Sequence, residues 1–253
     1  MHVRDIAVDA DTGDVFFVSY GGPTAAHVVR CSGKQDCVSI RKFEPSESEE
    51  LLPSAVAFSS SLKRVFYAIA DGALTKSVIY SAKPDGSDER VFVKQSAETG
   101  VAFPVGLAID DVNEHVYWTN DVGPDLVQRG DLTAAAATNV GTLFAKKNTV
   151  RPFQIAVDPV GKRLYYVDQS STPHSIGRIQ TDAVDKHEEL RTISDGTPHD
   201  IVLDVAGKNV FWSEVGSSTV KRGSIADLGK APSSAAHATL SLLVFALASV
   251  LMF

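Results

Sequence analysis

The strongest constraint on the fold is a block of 17 residues that recurs five times along the chain. Each copy has an apolar triplet, then a short polar side chain, and an aromatic pair that begins seven residues after that side chain. The copies begin at Val3, Pro53, Pro104, Pro152 and Pro198, so successive starts are 50, 51, 48 and 46 residues apart. Internal repetition with this period indicates a fold built from stacked copies of one structural unit.

One copy has the pattern of a β-hairpin, because two short β-prone runs flank a polar turn that is rich in Gly, Asn or Asp. The polar side chain that ends the first run can accept hydrogen bonds from turn N–H groups, Asp more strongly than Ser. These side chains are Asp9, Ser59, Asp110, Asp158 and Asp204. The aromatic pairs in the second run are Phe16-Phe17, Phe66-Tyr67, Tyr117-Trp118, Tyr165-Tyr166 and Phe211-Trp212.

Each hairpin is followed by further β-prone runs. A third strand is predicted at 27–30, 77–80, 126–129, 175–179 and 219–222, and a fourth is visible at 90–93 and 141–144. A four-stranded sheet of this kind cannot bury both faces alone, but copies stacked radially as blades can. The predicted fold is therefore all-β, a β-propeller of four-stranded blades in which the repeated Asp and aromatic residues are structural.

The repeat resembles the class B repeat of the low-density-lipoprotein receptor, which is named for its YWTD motif. The motif is matched best at Tyr117–Asn120, Tyr165–Asp168 and Phe211–Glu214, and the resemblance spans about Val3 to Ile225. It implies a six-bladed, TolB-like propeller whose ligands dock on one end of the disc. It also implies a polar contact between neighbouring blades, a blade-to-blade tie, made by the acidic residue that ends the motif. The first two copies lack this acidic residue.

Five recognisable copies leave three alternatives for ring closure. The ring closes with five blades, or a degenerate sixth blade forms from the segment after Ile225 and the N-terminus, or the sequence is truncated at its N-terminus. We favour truncation. It also accounts for the lack of a readable secretory signal in the first 20 residues.

The chain divides into a propeller (residues 1–228), a short linker of small and polar residues (229–239) and an apolar tail (240–253). The tail has fourteen uncharged residues, which is short for a membrane helix. Three readings of it stay open: a lipid-anchor (GPI) signal with Ser233 and Ser234 at the anchor site, a short tail anchor, or a buried or frayed end. The first is favoured, although its spacer is shorter than usual. We therefore expect a cell-surface or membrane-associated protein, attached through the tail.

Net charge and cysteine content limit the classes of partner and of site that this chain can have. The formal charge of −7 is spread along the chain without a basic run, so nucleic acid is not an expected partner. Cys31 and Cys37 are the only cysteines, and they can form one disulfide if the compartment is oxidising. The histidines show no metal-ligand spacing, so we predict neither a metal site nor a cofactor.

The favoured function is a non-catalytic binding module for a protein or other extracellular ligand. Candidate ligand residues follow the aromatic strands: Tyr20, His27, Asp121, Asp125, Gln169, His174 and Glu214. The alternative is a calcium-dependent hydrolase of the lactonase or strictosidine-synthase-like class, which needs oxygen ligands converging on the central channel. His199-Asp200 opens the fifth copy with a polar pair, which we interpret as a strand-edge feature rather than a catalytic one.

Overall fold

The computed structural model describes residues 2–21, 24–33, 36–43, 51–71, 76–123, 125–145, 150–170 and 172–229. These residues form nineteen strands in five antiparallel sheets. Blade 1 contains β1 (His2–Val8), β2 (Val15–Gly21), β3 (Thr24–Ser32) and β4 (Asp36–Phe43). Blade 2 contains β5 (Leu51–Ser59), β6 (Arg64–Asp71), β7 (Val78–Ala82) and β8 (Arg90–Lys94).

The other three blades repeat this order. Blade 3 contains β9 (Pro104–Asp110), β10 (His115–Asn120), β11 (Asp125–Asp131) and β12 (Gly141–Ala145). Blade 4 contains β13 (Pro152–Asp158), β14 (Arg163–Asp168), β15 (His174–Gln180) and β16 (His187–Ile193). Blade 5 contains β17 (Thr197–Asp204), β18 (Asn209–Val215) and β19 (Thr219–Ser224).

The predicted propeller is confirmed, and each repeated block forms the first two strands of a blade. The first strands of consecutive blades pack side by side, which places them along the inside of the ring. Blade 5 has three strands among the described residues, where the repeat predicts four. The described residues form five blades, so the six-bladed arrangement implied by the resemblance is not seen in them.

The aromatic pairs hold neighbouring blades together. Within a pair, the two side chains point to opposite faces of the sheet because the side-chain period of a strand is two. The first aromatic residue packs against the following blade and the second against the preceding one. The four boundaries so formed join Phe16 with Tyr67, Phe66 with Trp118, Tyr117 with Tyr166, and Tyr165 with Trp212. Each such burial contributes about 1.5–3 kcal/mol, so the motif supplies much of the core.

Tyr166 shows how closely side chains are packed within a blade. Its ring lies across Gly177 of β15, where an added Cβ would be 2.2 Å from the Tyr166 ring. The Tyr166 hydroxyl is completely buried and has no hydrogen-bond partner among the described residues. Burial raises the pKa of Tyr166. The aromatic ring is therefore well packed, whereas its hydroxyl is an uncompensated polar group.

The final residue of the motif bonds the chain segment that leads into its blade. Asn120 Oδ1 accepts the backbone N–H of Ala102, at 3.0 Å, and Asp168 Oδ1 accepts that of Arg151, at 3.2 Å. Ala102 and Arg151 lie on the segments that lead into the same blades as Asn120 and Asp168. These side chains therefore fasten the connecting segment to their own blade, and the implied blade-to-blade tie stays a prediction.

Cys31 and Cys37 face each other on β3 and β4 and are joined by a disulfide, with their Cα atoms 4.0 Å apart. Most of the predicted linker, the apolar tail, and Ser233 and Ser234 lie outside the described residues. Within the described ranges, no helix has the length and apolar character needed to cross a membrane.

Candidate binding faces

The antiparallel blades give the disc two different ends. The loops between second and third strands, together with the segments entering each blade, lie at one end, called here the loop face. The turns between first and second strands and the loops between third and fourth strands lie at the other end, called here the turn face. Loops on a rigid sheet scaffold are the usual place for binding residues.

All seven predicted ligand residues lie toward the loop face. Two of them link neighbouring blades there. The Asp121 carboxylate lies 2.6 Å from Nη2 of Arg151, which connects blade 3 to the segment entering blade 4. Gln169 Nε2 donates to the carbonyl of Pro198, at 2.7 Å, and so connects blade 4 to the first strand of blade 5. These two side chains thus link neighbouring blades, which is a structural use the sequence did not indicate.

Glu214 and His174 also make contacts within the protein. Glu214 is buried, its Oε1 accepts the indole N–H of Trp212 at 2.9 Å, and its Oε2 lies 2.8 Å from Nζ of Lys221. The ring of His174 lies 3.2 Å, Nε2 to Oγ1, from Thr197. Both residues therefore stabilise blades 4 and 5.

The other three candidates are Tyr20, His27 and Asp125. Tyr20 is half-buried near the end of β2, and His27 is half-buried on β3 with Nδ1 2.8 Å from the Ser39 hydroxyl. Asp125 is the first residue of β11. The structure brings Tyr20 and His27 to the same blade, and their role as ligand residues stays a prediction.

The turn face is built by the repeated acids, as predicted. Asp110 Oδ1 accepts the N–H groups of Val112 and Asn113, and Asp158 Oδ1 accepts that of Gly161 at 2.8 Å. Asp9 and Asp204 do the same in their turns, and Ser59 accepts the N–H of Leu62 at 3.1 Å. The residue four positions after each of these side chains has a positive φ: Gly13, Lys63, Glu114, Lys162 and Lys208.

Hydrogen bonds between blades join these turns into one surface. Asn113 Nδ2 donates to the carbonyl of Pro159, at 3.0 Å, which brings the turns of blades 3 and 4 together. The hydroxyls of Ser59 and Ser61 donate to Asp111 Oδ1 at 2.6 and 2.7 Å, which joins the turns of blades 2 and 3. The turn face is therefore a fixed surface rather than a set of separate loops.

Blades 3 and 4 present apolar side chains on this fixed surface. Val112, Val160 and Val184 are 70%, 83% and 62% exposed. Ala134–Ala136, in the loop between β11 and β12, are exposed as well. We call these six residues the valine patch. The loops are fastened to the turns, since Leu132 N–H donates to Glu114 O and Thr181 N–H donates to Lys162 O, at 2.8 and 3.0 Å.

The valine patch is confined to one side of the disc. Val112 and Val160 stand two positions after the repeated Asp, where blades 1 and 2 carry the exposed polar residues Asp11 and Ser61. Exposed apolar side chains that cluster on a rigid surface mark interaction sites more often than scattered ones do. This difference between the copies is visible in the sequence. Only the structure shows that the two turns with valine meet, through Asn113 and Pro159.

A buried acid pair lies at the inner strands of the first and last blades. Asp5 accepts the N–H groups of Ile6 and Val56, each at 2.8 Å. Burial raises the pKa of Asp5, and the Asp200 carboxylate raises it further. Burial also raises the pKa of Asp200, whose Oδ1 accepts the N–H of Ile201 at 2.7 Å.

The histidine next to Asp200 is involved in packing. The ring of His199 makes an edge contact with Phe153, with centroids 5.5 Å apart, and burial lowers its pKa. In the part of the chain that the structure describes, no three His, Cys, Asp or Glu side chains gather as metal ligands would. Among the described residues, Asp5 and Asp200 are therefore the pair of carboxylates with which the hydrolase alternative can be tested.

Comparisons with known proteins place this geometry among the propellers. No protein-family model matches the chain. Protein cueball of Drosophila willistoni is 26% identical over 172 residues, and protein cueball of Drosophila erecta is 26% identical over 167 residues. Each match covers 66% of this chain, which spans about a quarter (25%) of the length of these curated relatives.

Among solved structures, a chain of a nidogen/laminin complex matches with a TM-score of 0.71 at 20% identity, over 89% of this chain and 77% of that chain. A gluconolactonase from Xanthomonas campestris matches with a TM-score of 0.63 at 15% identity, over 84% and 69%. TolB from Acinetobacter baumannii matches with a TM-score of 0.64 at 13% identity, over 90% and 53%. These likenesses establish the fold, and the resemblance to class B repeat propellers is confirmed at that level.

Proposed function

We propose that this chain, which has the fold of the class B repeat propellers, is a non-catalytic module that binds a protein through the valine patch. The observation that carries the proposal is the exposure of Val112, Val160 and Val184 on a surface held rigid by hydrogen bonds between blades. A rigid surface loses little conformational entropy on binding, so more of the energy of apolar contact is retained as affinity.

The location proposed for this module is extracellular or on the cell surface. The Cys31–Cys37 disulfide supports this location, since disulfides persist in oxidising compartments and are rare in the cytosol. A structural relative of this chain is part of a nidogen/laminin complex, and an extracellular protein is accordingly the class of partner we propose.

The experiment measures binding of the labelled chain to intact cells and to a panel of purified extracellular-matrix proteins. In the double variant Val112→Asp/Val160→Asp, we expect binding to fall at least about tenfold, because a charge in the centre of an apolar contact costs about 1.4 kcal/mol or more. The matched control is Val38→Asp. Val38 is a 62% exposed valine on β4, the outer strand of blade 1, and its substitution should leave binding unchanged.

Two results would change the proposed function or the proposed binding surface. If Tyr20→Ala or His27→Ala abolishes binding while the double variant binds normally, the loop face is the binding surface. If the wild-type chain hydrolyses a sugar lactone in the presence of calcium and Asp200→Asn loses that activity, the hydrolase alternative replaces the binding module. The propeller fold is compatible with either function, so the variants rather than the fold decide between them.

A further inference from the structure

The four boundaries between blades share one arrangement of apolar side chains. On the earlier blade, the first aromatic residue of the motif and an apolar residue of the third strand face the following blade, and none of them is more than 1% exposed. These residues are Phe16 and Val28, Phe66 and Ile79, Tyr117 and Val127, and Tyr165 and Ile176. The first strand of the following blade covers them with an apolar side chain: Val56, Leu107, Ile155 or Ile201.

Each boundary also has a polar side chain that bonds the backbone of the covering strand. Between blades 1 and 2, Asp5 Oδ2 accepts the N–H of Val56 at 2.8 Å. At the other three boundaries, a side-chain donor bonds a backbone carbonyl of that strand: Ser54 to Pro104, Thr119 to Phe153, and Gln169 to Pro198. The side of a blade that faces its successor therefore contacts both the backbone and the apolar side chains of an extended segment.

On blade 5, the side that faces away from blade 4 presents the same apolar side chains, without a covering strand in the described part of the chain. Phe211 corresponds to Phe16, and Val220 corresponds to Val28, because each valine pairs with the residue two positions after the aromatic one. Both are half-buried, and Val202, which pairs with Phe211, is 55% exposed. They line a cavity of about 260 Å³. We call this surface the free face, which consists of Asp200, Val202, Phe211, Ser213 and Val220.

The free face also carries the polar group of a boundary. Asp200 corresponds to Asp5 in the repeat. Asp200 Oδ1 accepts the N–H of Ile201 at 2.7 Å, just as Asp5 Oδ1 accepts that of Ile6 at 2.8 Å. Asp5 binds the next blade, at Val56, with its other oxygen. Among the described residues no backbone N–H bonds Asp200 Oδ2, and Asp200 lines the cavity. A hydrogen-bond acceptor and an apolar cavity therefore lie side by side.

We infer that the free face binds an extended segment of a partner protein, which donates a backbone N–H to Asp200 and places an apolar side chain in the cavity. The four boundaries support this occupant, because at each of them an extended strand with apolar side chains covers the equivalent face. Binding of an extended segment through its backbone and its side chains together is a recurring mode of peptide recognition. The inference is independent of the proposed function, which concerns the valine patch.

Blade 1 does not supply the donor that Asp200 requires. Ile6 is the residue of blade 1 that corresponds to Val56, but its N–H is already bonded to Asp5 Oδ1. This holds for blade 1 of the same chain and for blade 1 of a second copy, so a partner segment with a free N–H fits the free face better than either. Ile6 and Val8 are 46% and 55% exposed on the side that a preceding blade would cover, and they offer that segment a second apolar surface.

Thiol labelling tests the inference directly, because the two native cysteines form a disulfide and leave no free thiol. The probe is a synthetic peptide of residues 104–120, the two strands of blade 3 that cover the equivalent face of blade 2. A maleimide labels Val202→Cys in the full chain, with and without the peptide. At a peptide concentration about ten times its dissociation constant, labelling should slow about tenfold, because only the free form reacts. Val91→Cys, on β8 of blade 2, is the control and should label at one rate throughout.

Two variants separate the apolar contact from the polar one. A peptide with Leu107→Asp and Trp118→Asp should give no protection, because a carboxylate in the cavity loses its hydration without gaining a partner. Asp200→Ala in the Val202→Cys chain should weaken peptide binding about tenfold, because it removes a hydrogen bond to a charged group.

Three results would overturn the inference. The first is a labelling rate of Val202→Cys that does not change at any peptide concentration. The second is slow labelling of Val202→Cys in the chain alone, relative to Val91→Cys, since another part of the same chain would then cover the free face. The third is labelling that slows as the protein concentration rises without peptide, which would identify a second copy as the occupant.

Discussion

Replacing Tyr166 with Phe should stabilise the protein, although Tyr166 is part of the repeated motif. The Tyr166 hydroxyl is buried without a partner among the described residues. Such a group costs about 1–3 kcal/mol of desolvation, which the variant recovers. The space left by one oxygen costs only a few tenths of a kcal/mol, at about 24 cal/mol per Å³. The expected net gain is therefore about 1–2 kcal/mol in the free energy of unfolding.

Tyr67→Phe is the matched control, because Tyr67 holds the same motif position in blade 2 and is equally buried. Its hydroxyl donates to the Glu89 carboxylate, which also lies 3.3 Å from Nη1 of Arg41. Losing a hydrogen bond to a charged group should cost about 1.5–3 kcal/mol. The same substitution is thus expected to raise the free energy of unfolding at position 166 and to lower it at position 67.

Urea denaturation at pH 7, with the disulfide intact, measures both variants. The urea midpoint should rise for Tyr166→Phe and fall for Tyr67→Phe at an unchanged slope, since the surface exposed on unfolding is the same. A loss of 1 kcal/mol or more for Tyr166→Phe would show that its hydroxyl is bonded, for instance to a buried water, and would refute the reasoning.

Three further predictions follow from single contacts. Gly177→Ala should lower the free energy of unfolding by about 1–3 kcal/mol or more, measured by urea denaturation, because the new methyl group overlaps the Tyr166 ring. Asp200→Asn should raise the melting temperature at pH 7. The pKa of Asp200 is raised in the folded protein, so the wild type loses stability as the pH rises through that pKa, and the gain of the variant should vanish below about pH 4. Reduction of Cys31–Cys37, which closes a short loop, should cost about 2 kcal/mol, read as a lower urea midpoint in dithiothreitol.

Much of the fold was predictable because its information is local and repeated. The turn acids were assigned correctly, since Asp158 can bond the N–H of Gly161 within three residues of chain. The alternation of an aromatic pair across a strand follows from strand geometry alone. Because the block repeats, the same strand order could be predicted for every blade.

The functional surfaces were harder to predict because they depend on contacts between blades. Asp121 has the appearance of a free loop acid in sequence, and only the fold brings Arg151 to it. The valines at the tips of two turns are 48 residues apart in sequence, and the meeting of their turns depends on how blades 3 and 4 stack. The exposed inner strand of blade 1 has the same sequence pattern as the covered strands, so its exposure has no local signature in the sequence.

Site-specific photo-crosslinking tests the central claim, binding through the turn face, most directly. A photoreactive amino acid is placed at Val160 in the valine patch, at Tyr20 on the loop face, or at Val38 on the outer strand of blade 1, and each chain is irradiated on the matrix protein or cell surface that binds wild type. The account predicts a covalent adduct from position 160 and none from positions 20 and 38. An adduct from position 20 alone would contradict it and assign binding to the loop face.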